Sequence, residues 1–127
     1  MMVQVKVSLG ELVDKLSILE IKKVKIQDEE KQQHIEKERL ALLETLNNLA
    51  LEGISTFLEQ LRHINLELWE IEDKIREKER AKEFDSEFVE LARSVYITND
   101  KRFEVKSLCN GHFGSELREV KSYEKYD

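Results

Sequence analysis

The longest stretch of periodic hydrophobic positions covers residues 84–113 and predicts a single helix. Its apolar residues recur every three or four positions, which is the spacing of one face of an α-helix. Asp85 or Ser86 is suited to cap the start, because a short side-chain oxygen accepts a hydrogen bond from a first-turn N–H. Gly111 and Gly114 are suitable ends, since glycine readily adopts the left-handed conformation that terminates many helices.

The same periodicity predicts three further helices, over residues 9–27, 35–50 and 57–81. Ser8 and Glu11 form a capping box at the start of the first of them. The link between the third and fourth helices is short, so these two are expected to be antiparallel neighbours. We therefore predict an all-α protein, an antiparallel bundle of about four long helices within a single domain that spans residues 1–127.

The segment between the first two predicted helices has two interpretations. Residues 27–33 contain no apolar side chain. The helical phase is lost across them, because Ile26 and Ile35 do not fall on one helix face. We favour a turn near Asp28. The alternative is one continuous helix over residues 9–50, which would favour a coiled-coil dimer.

The two ends of the chain differ from the helical stretches. Val3, Val5 and Val7 alternate with polar residues, which predicts a short strand-like arm at the N-terminus. Its partner strand would come from the C-terminal tail or from another copy of the chain. The tail after Gly114 is charged, and its last residues are expected to be loosely held.

Polar residues interrupt the apolar faces of three predicted helices. Asn99, Arg102 and Lys106 share a face with apolar residues, and Glu20 and Glu72 lie mid-face in the first and third helices. A polar group facing a core costs about 1–3 kcal/mol if it is left unpaired, and a charge costs more. These side chains therefore need partners or water, or they line a cavity. The candidate polar layer comprises Glu20, Glu72, Arg76, Asn99, Arg102 and Lys106.

The polar layer has three interpretations. The long Arg and Lys side chains bury only their stems and reach solvent, or the acids and bases pair internally as a structural network. In the third, the basic residues face a cavity and hold an anionic small molecule through its phosphate or carboxylate. Between the last two we favour the network, because the formal charges nearly match. Folding the third helix on the fourth at about 1.5 Å per residue places Asn65 level with Arg102.

A second acidic pattern lies on the opposite side of the third helix. Glu67, Glu70 and Asp73 are spaced like the magnesium-binding carboxylates of all-α nucleotide pyrophosphatases. Charged rows of this kind usually face solvent, so we favour a solvated helix face.

Composition narrows the functional classes. The net charge of −6 and the isoelectric point near 5.2 argue against a nucleic-acid partner, because such binding depends largely on basic patches. The lone cysteine, Cys109, lies on an apolar face, where an inert structural thiol is expected. The three histidines have no ligand-spaced partner, so we predict no metal and no cofactor. No apolar run approaches a membrane span, and we expect a cytoplasmic protein.

The first predicted helix is apolar over an unusually wide arc. Ile18 and Ile21 lie on the side away from its main apolar stripe. Either this helix is central in the bundle, or these two residues supply the contact of a homodimer.

Four stretches carry a resemblance to known sequences. They are SLGELVDKLSILEIK at 8–22, LWEIEDKIREKE at 68–79, FDSEFVELARSVYITNDKRFEVK at 84–106 and GSEL at 114–117. Together they resemble a family of small bacterial and phage proteins of unknown function. The resemblance implies an association with surface-polysaccharide or lipopolysaccharide biosynthesis. It implies no activity, so no catalytic residue is carried over.

The preferred functional hypothesis is a non-enzymatic interaction or accessory module that pairs with itself or with another protein. One alternative is a binder of, or an enzyme on, a phosphorylated or nucleotide-linked sugar, for which the basic residues of the fourth helix would provide the site. The other is a magnesium-dependent nucleotide pyrophosphatase that uses the acidic row.

Overall fold

Four α-helices make up the computed structural model of the protein, which describes residues 1–126. They are α1 (Leu9–Lys25), α2 (Glu29–Asn48), α3 (Ile54–Ala81) and α4 (Ser86–Phe113). The prediction of an all-α bundle is confirmed. The second and third helices begin six and three residues before their predicted starts.

Side-chain caps fix where three of the helices begin. Ser8 Oγ accepts from Glu11 N–H at 3.2 Å, and Asp28 Oδ2 accepts from Lys31 N–H at 2.9 Å. Asp85 caps α4 in the same way. Because Asp28 caps a new helix after α1 has ended, the predicted turn is confirmed over a single long helix.

Left-handed glycines flank two other helix ends. Gly53 has φ +86° immediately before α3, and Gly114 has φ +68° immediately after α4. A residue with a Cβ is strained in this region, so glycine suits both positions. Of the two predicted ends of α4, Gly114 is the one used, and Gly111 lies inside the helix.

Helix α1 is the centre of the bundle, because it packs against α2, α3 and α4. The two long helices α3 and α4 also pack against each other, while α2 lies on α1. Gly10 meets Asn110 and Asp14 meets Arg102, so α1 and α4 run antiparallel. The buried apolar cluster contains Leu12, Val13, Leu16, Leu46, Leu61 and Cys109.

The wide apolar arc of α1 is accounted for by this central position. Ile21 is only 4% exposed within one chain, and Ile18 is partly buried. Ile21 is therefore not available at the surface for a second copy. Of the two explanations offered by the sequence, the structure favours the central helix over the dimer contact.

The N-terminal arm, residues 1–7, extends from the bundle without forming a strand within the described chain. All seven residues are exposed. The segment predicted to be a strand from Val3, Val5 and Val7 therefore pairs with no other strand within residues 1–126.

The C-terminal tail returns along α4 in the opposite direction. Its contacts follow in reverse order, with Glu119 on Lys106, Lys121 on Phe103 and Tyr126 on Tyr96. The tail begins beside α1, where Leu9 N–H donates to Ser115 Oγ at 3.2 Å. The N-terminal arm and the C-terminal tail therefore begin close together, and the tail then runs along α4 as far as Tyr96.

Helices α1 and α4 approach each other closely at Gly10. Its N–H donates to Asn110 Oδ1 at 2.6 Å. A Cβ on Gly10 would lie 2.6 Å from the carbonyl oxygen of Lys106 and 3.1 Å from Asn110 Oδ1. Because one of these atoms is backbone, the helices would have to separate to admit a side chain.

We expect Gly10→Ala to lower the free energy of unfolding by about 1–3 kcal/mol, since overpacking forces backbone shifts. Urea denaturation followed by circular dichroism measures it. Gly111→Ala is the matched control, because its Cβ would meet only Arg118 Nη1 at 3.9 Å and alanine favours a helix. Equal effects of the two substitutions would contradict the close approach.

Candidate functional site

The buried polar layer is centred on Asp14, in the first half of α1. Asp14 is fully buried. Its Oδ1 accepts from Asn65 Nδ2 of α3 at 2.8 Å and from Arg102 Nε of α4 at 2.9 Å, and its Oδ2 accepts from Arg102 Nη2. One carboxylate therefore joins three helices through the fork geometry that suits an arginine–carboxylate pair.

Ser17 adds two further hydrogen bonds to this group. Its Oγ accepts from Asn65 Nδ2 at 2.7 Å and donates to the backbone carbonyl oxygen of Asp14 at 2.7 Å. Among residues 1–126, no buried side-chain nitrogen or oxygen lacks a hydrogen-bond partner. Buried polar networks stabilise a fold only when they are satisfied in this way.

Lys106 forms the second part of the layer, one turn beyond Arg102 on α4. Its side chain is 6% exposed. Nζ donates to Glu11 Oε2 at 2.8 Å and contacts Glu119 Oε2 at 2.9 Å, with Asp14 Oδ2 further away at 4.0 Å. Glu11 belongs to α1, whereas Glu119 belongs to the tail.

The pKa values of both bases are raised. Burial opposes the charged form of Lys106, but its hydrogen bonds with Glu11 and Glu119 outweigh burial and raise the pKa of the ammonium. The hydrogen bond with Asp14 raises the pKa of Arg102 against a smaller effect of burial. Both groups therefore remain cations and are matched by carboxylates of their own chain, as in the structural network.

Three of the predicted residues lie together. Arg102 and Lys106 are in the layer, and Asn99 is at its edge, where its Oδ1 lies 3.5 Å from Arg102 Nη1. Asn65 was predicted to lie at the same height along the bundle as Arg102. This agrees with the structure, in which both side chains donate to Asp14.

The other three predicted residues have different surroundings. Glu72 and Arg76 form their own pair on α3, with Oε2 and Nη2 3.9 Å apart and both side chains well exposed. Glu20 lies near Arg39 and Arg62, and its charge contributes to raising the pKa of both guanidinium groups. These three residues therefore lie outside the polar layer around Asp14.

Sequence reasoning missed the central carboxylate, Asp14, and its neighbour Ser17. The available signal was the wide arc of α1, because Asp14 and Ser17 are at helical spacing from Ile18 and Ile21. The prediction named Glu20 instead, because Glu20 lies on the main apolar stripe.

The acidic row of Glu67, Glu70 and Asp73 is exposed along α3, as the favoured interpretation predicts. Within residues 1–126, no group of three or more His, Cys, Asp or Glu side chains is arranged to hold a metal ion.

A groove of about 710 Å³ lies between α4 and the tail. Tyr96 and Asn99 line it on the helix side, and Glu119, Lys121 and Tyr123 line it on the tail side. Glu119 therefore lines the groove and also contacts Lys106.

Comparison with known proteins gives one match. The model of a family of unknown function, DUF6165, matches residues 3–126. The chain belongs to the DUF6165 family. No curated protein and no solved structure matches this DUF6165 chain. In the described part of this family member, no helix combines the length and apolar character required to span a membrane.

We expect Asp14 and Arg102 to be strongly coupled in this DUF6165 protein. Removing one partner of a buried pair costs about 3–5 kcal/mol, because the other charge is left without compensation. A double-mutant cycle with Asp14→Ala and Arg102→Ala should therefore give a coupling energy of about 2–3 kcal/mol, measured by urea denaturation. The cycle of Glu72→Ala and Arg76→Ala is the control, and its coupling should be indistinguishable from zero. Similar coupling energies in the two cycles would contradict the layer.

Cys109 is expected to be unreactive in the folded protein. It is completely buried, and burial raises the pKa of its thiol to about 11. The thiolate is the reactive form, so Ellman's reagent at pH 8 should label Cys109 only after unfolding in urea. Unfolding is also favoured as the pH rises from 9 towards 11, because the unfolded thiol ionises first. Rapid labelling of the native chain at pH 8 would refute this assignment.

Proposed function

We propose that this protein is a non-enzymatic interaction module that self-associates through its N-terminal arm. The observation that carries the proposal is the exposure of three alternating valines, Val3 at 77%, Val5 at 74% and Val7 at 39%. A strand-forming segment with its apolar side chains in water gains stability by pairing with another strand.

The buried layer supports a structural role for the bundle beneath the arm. Arg102 and Lys106 are neutralised by carboxylates of the same chain. Cys109 is buried, with a raised pKa. This arrangement suits a rigid support that holds an interaction segment in place.

A second copy of the arm is the best-matched partner. In an antiparallel pair with Val5 opposite Val5 of the second copy, Val3 lies opposite Val7, and Gln4 lies opposite Lys6. All valines then share one face, and no two lysines are directly opposed. The pattern is therefore self-complementary, which a two-fold symmetric dimer requires.

The setting we propose follows from the sequence resemblance alone. It is that of a cytoplasmic accessory protein in bacterial or phage-encoded surface-polysaccharide or lipopolysaccharide biosynthesis. The interaction hypothesis is independent of this setting, because it is supported by the exposed arm.

We expect the protein to be a dimer and Val5→Lys to make it monomeric. The substitution would place two lysines directly opposite each other in the proposed pair, and like charges there are destabilising. Sedimentation velocity at micromolar concentration measures the change. Val24→Lys is the matched control, because Val24 is equally exposed but lies on α1 away from the arm.

A second experiment tests the register of the proposed pair of arms. Gln4→Glu places a carboxylate opposite Lys6 at two symmetric positions, so it should lower the dimer dissociation constant by about two- to tenfold. Gln4→Lys should raise it. A monomeric wild-type protein at this concentration would refute self-association. A dimer whose dissociation constant is unchanged by all three arm substitutions would show that the arm is not its contact.

A further inference from the structure

We propose that Lys106 belongs to a binding site for a small-molecule oxyanion, which Glu119 of the tail occupies in the structure. The ligand class is a phosphate or carboxylate attached to a ring. This inference goes beyond the proposed self-association and does not depend on it.

The two carboxylates that contact Lys106 are held very differently. Glu11 lies in the first turn of α1, which is fixed by the Ser8 cap. Glu119 lies in the extended tail, next to Val120, which is 89% exposed, and Tyr123 is 82% exposed. Moving Glu119 away therefore uncovers little apolar surface, whereas moving Glu11 would disrupt a helix.

The charge balance singles out Glu119 as the exchangeable group. The layer contains two cations, Arg102 and Lys106, and two carboxylates from α1, Asp14 and Glu11. Glu119 is an additional negative charge. An ammonium has three donors, so once Glu119 leaves, one donor of Lys106 has lost its carboxylate acceptor. A ligand oxyanion supplies the same charge and the same kind of oxygen.

The groove provides room for the rest of the ligand. Its volume of about 710 Å³ is within the range of small-molecule sites. Because Glu119 both lines the groove and contacts Lys106, moving it away gives a ligand in the groove a path to Lys106. Tyr123 and Tyr96, whose ring packs edge-on against Tyr126, line the groove, and Asn99 offers an amide. These walls favour a ring next to the oxyanion.

The tail thus acts as an internal competitor for this site. A ligand binds only the fraction of molecules in which Glu119 has moved away, so its apparent affinity is reduced by that fraction. Replacing the Glu119 carboxylate with an uncharged amide should therefore strengthen binding.

The experiment compares Glu119→Gln with the wild-type chain by NMR titration with phenyl phosphate, benzoate and inorganic phosphate at constant ionic strength. Glu116→Gln is the matched control, because it changes the same charge on an exposed tail residue. We expect the dissociation constant of phenyl phosphate or benzoate to be at least about fivefold lower for Glu119→Gln than for the other two chains. The tighter of the two ligands identifies the oxyanion.

The signals of Lys106 and Asn99 provide the second readout, which is recorded on the folded Glu119→Gln chain. They should shift at saturation, and Lys106→Gln in the same background should abolish binding. If Lys106→Gln does not fold, the shift of the Lys106 signal in the Glu119→Gln chain is the deciding measurement. Equal affinities for the Glu119→Gln and Glu116→Gln chains, or an unchanged Lys106 signal, would overturn the site. Phenyl phosphate and benzoate both binding no tighter than inorganic phosphate would overturn the role of the groove.

Discussion

The desolvation of the Asp14 carboxylate is the constraint on which the arrangement of α1, α3 and α4 depends. Burying a charge costs several kcal/mol unless partners replace water, and a domain has only about 5–15 kcal/mol of net stability. Asn65 and Arg102 supply those partners from two other helices. Sliding either helix by one turn, about 5.4 Å, would remove its contact. The layer therefore fixes the register of the three helices more sharply than apolar packing does.

The helices themselves were predictable because their signals are local. Apolar spacing identified four helical stretches, and Ser8, Asp28 and Asp85 stand where short polar caps are needed. The loss of helical phase before Ile35 correctly indicated a turn. Each of these features depends on residues within a few positions of one another, so one sequence is enough to reveal them.

The centre of the polar layer was not predictable in the same way. Asp14 meets partners 51 and 88 residues away, and helical periodicity does not specify how a helix is rotated towards its neighbours. Because α1 is surrounded by three helices, a residue beside its main stripe is as buried as one on it. Glu20 was predicted from its place on that stripe, whereas Arg102 and Lys106 were predicted correctly because the stripe on which they lie in α4 does face the other helices.

The order of synthesis gives the capping of α1 a particular consequence. The N–H groups of Leu9 and Gly10 are accepted by Ser115 and Asn110, which lie about a hundred residues later. The N–H groups of the first turn of α1 therefore stay hydrated during translation until Asn110 and Ser115 have also emerged from the ribosome. During translation α1 can associate with α2, but its first turn is capped only after α4 has been synthesised.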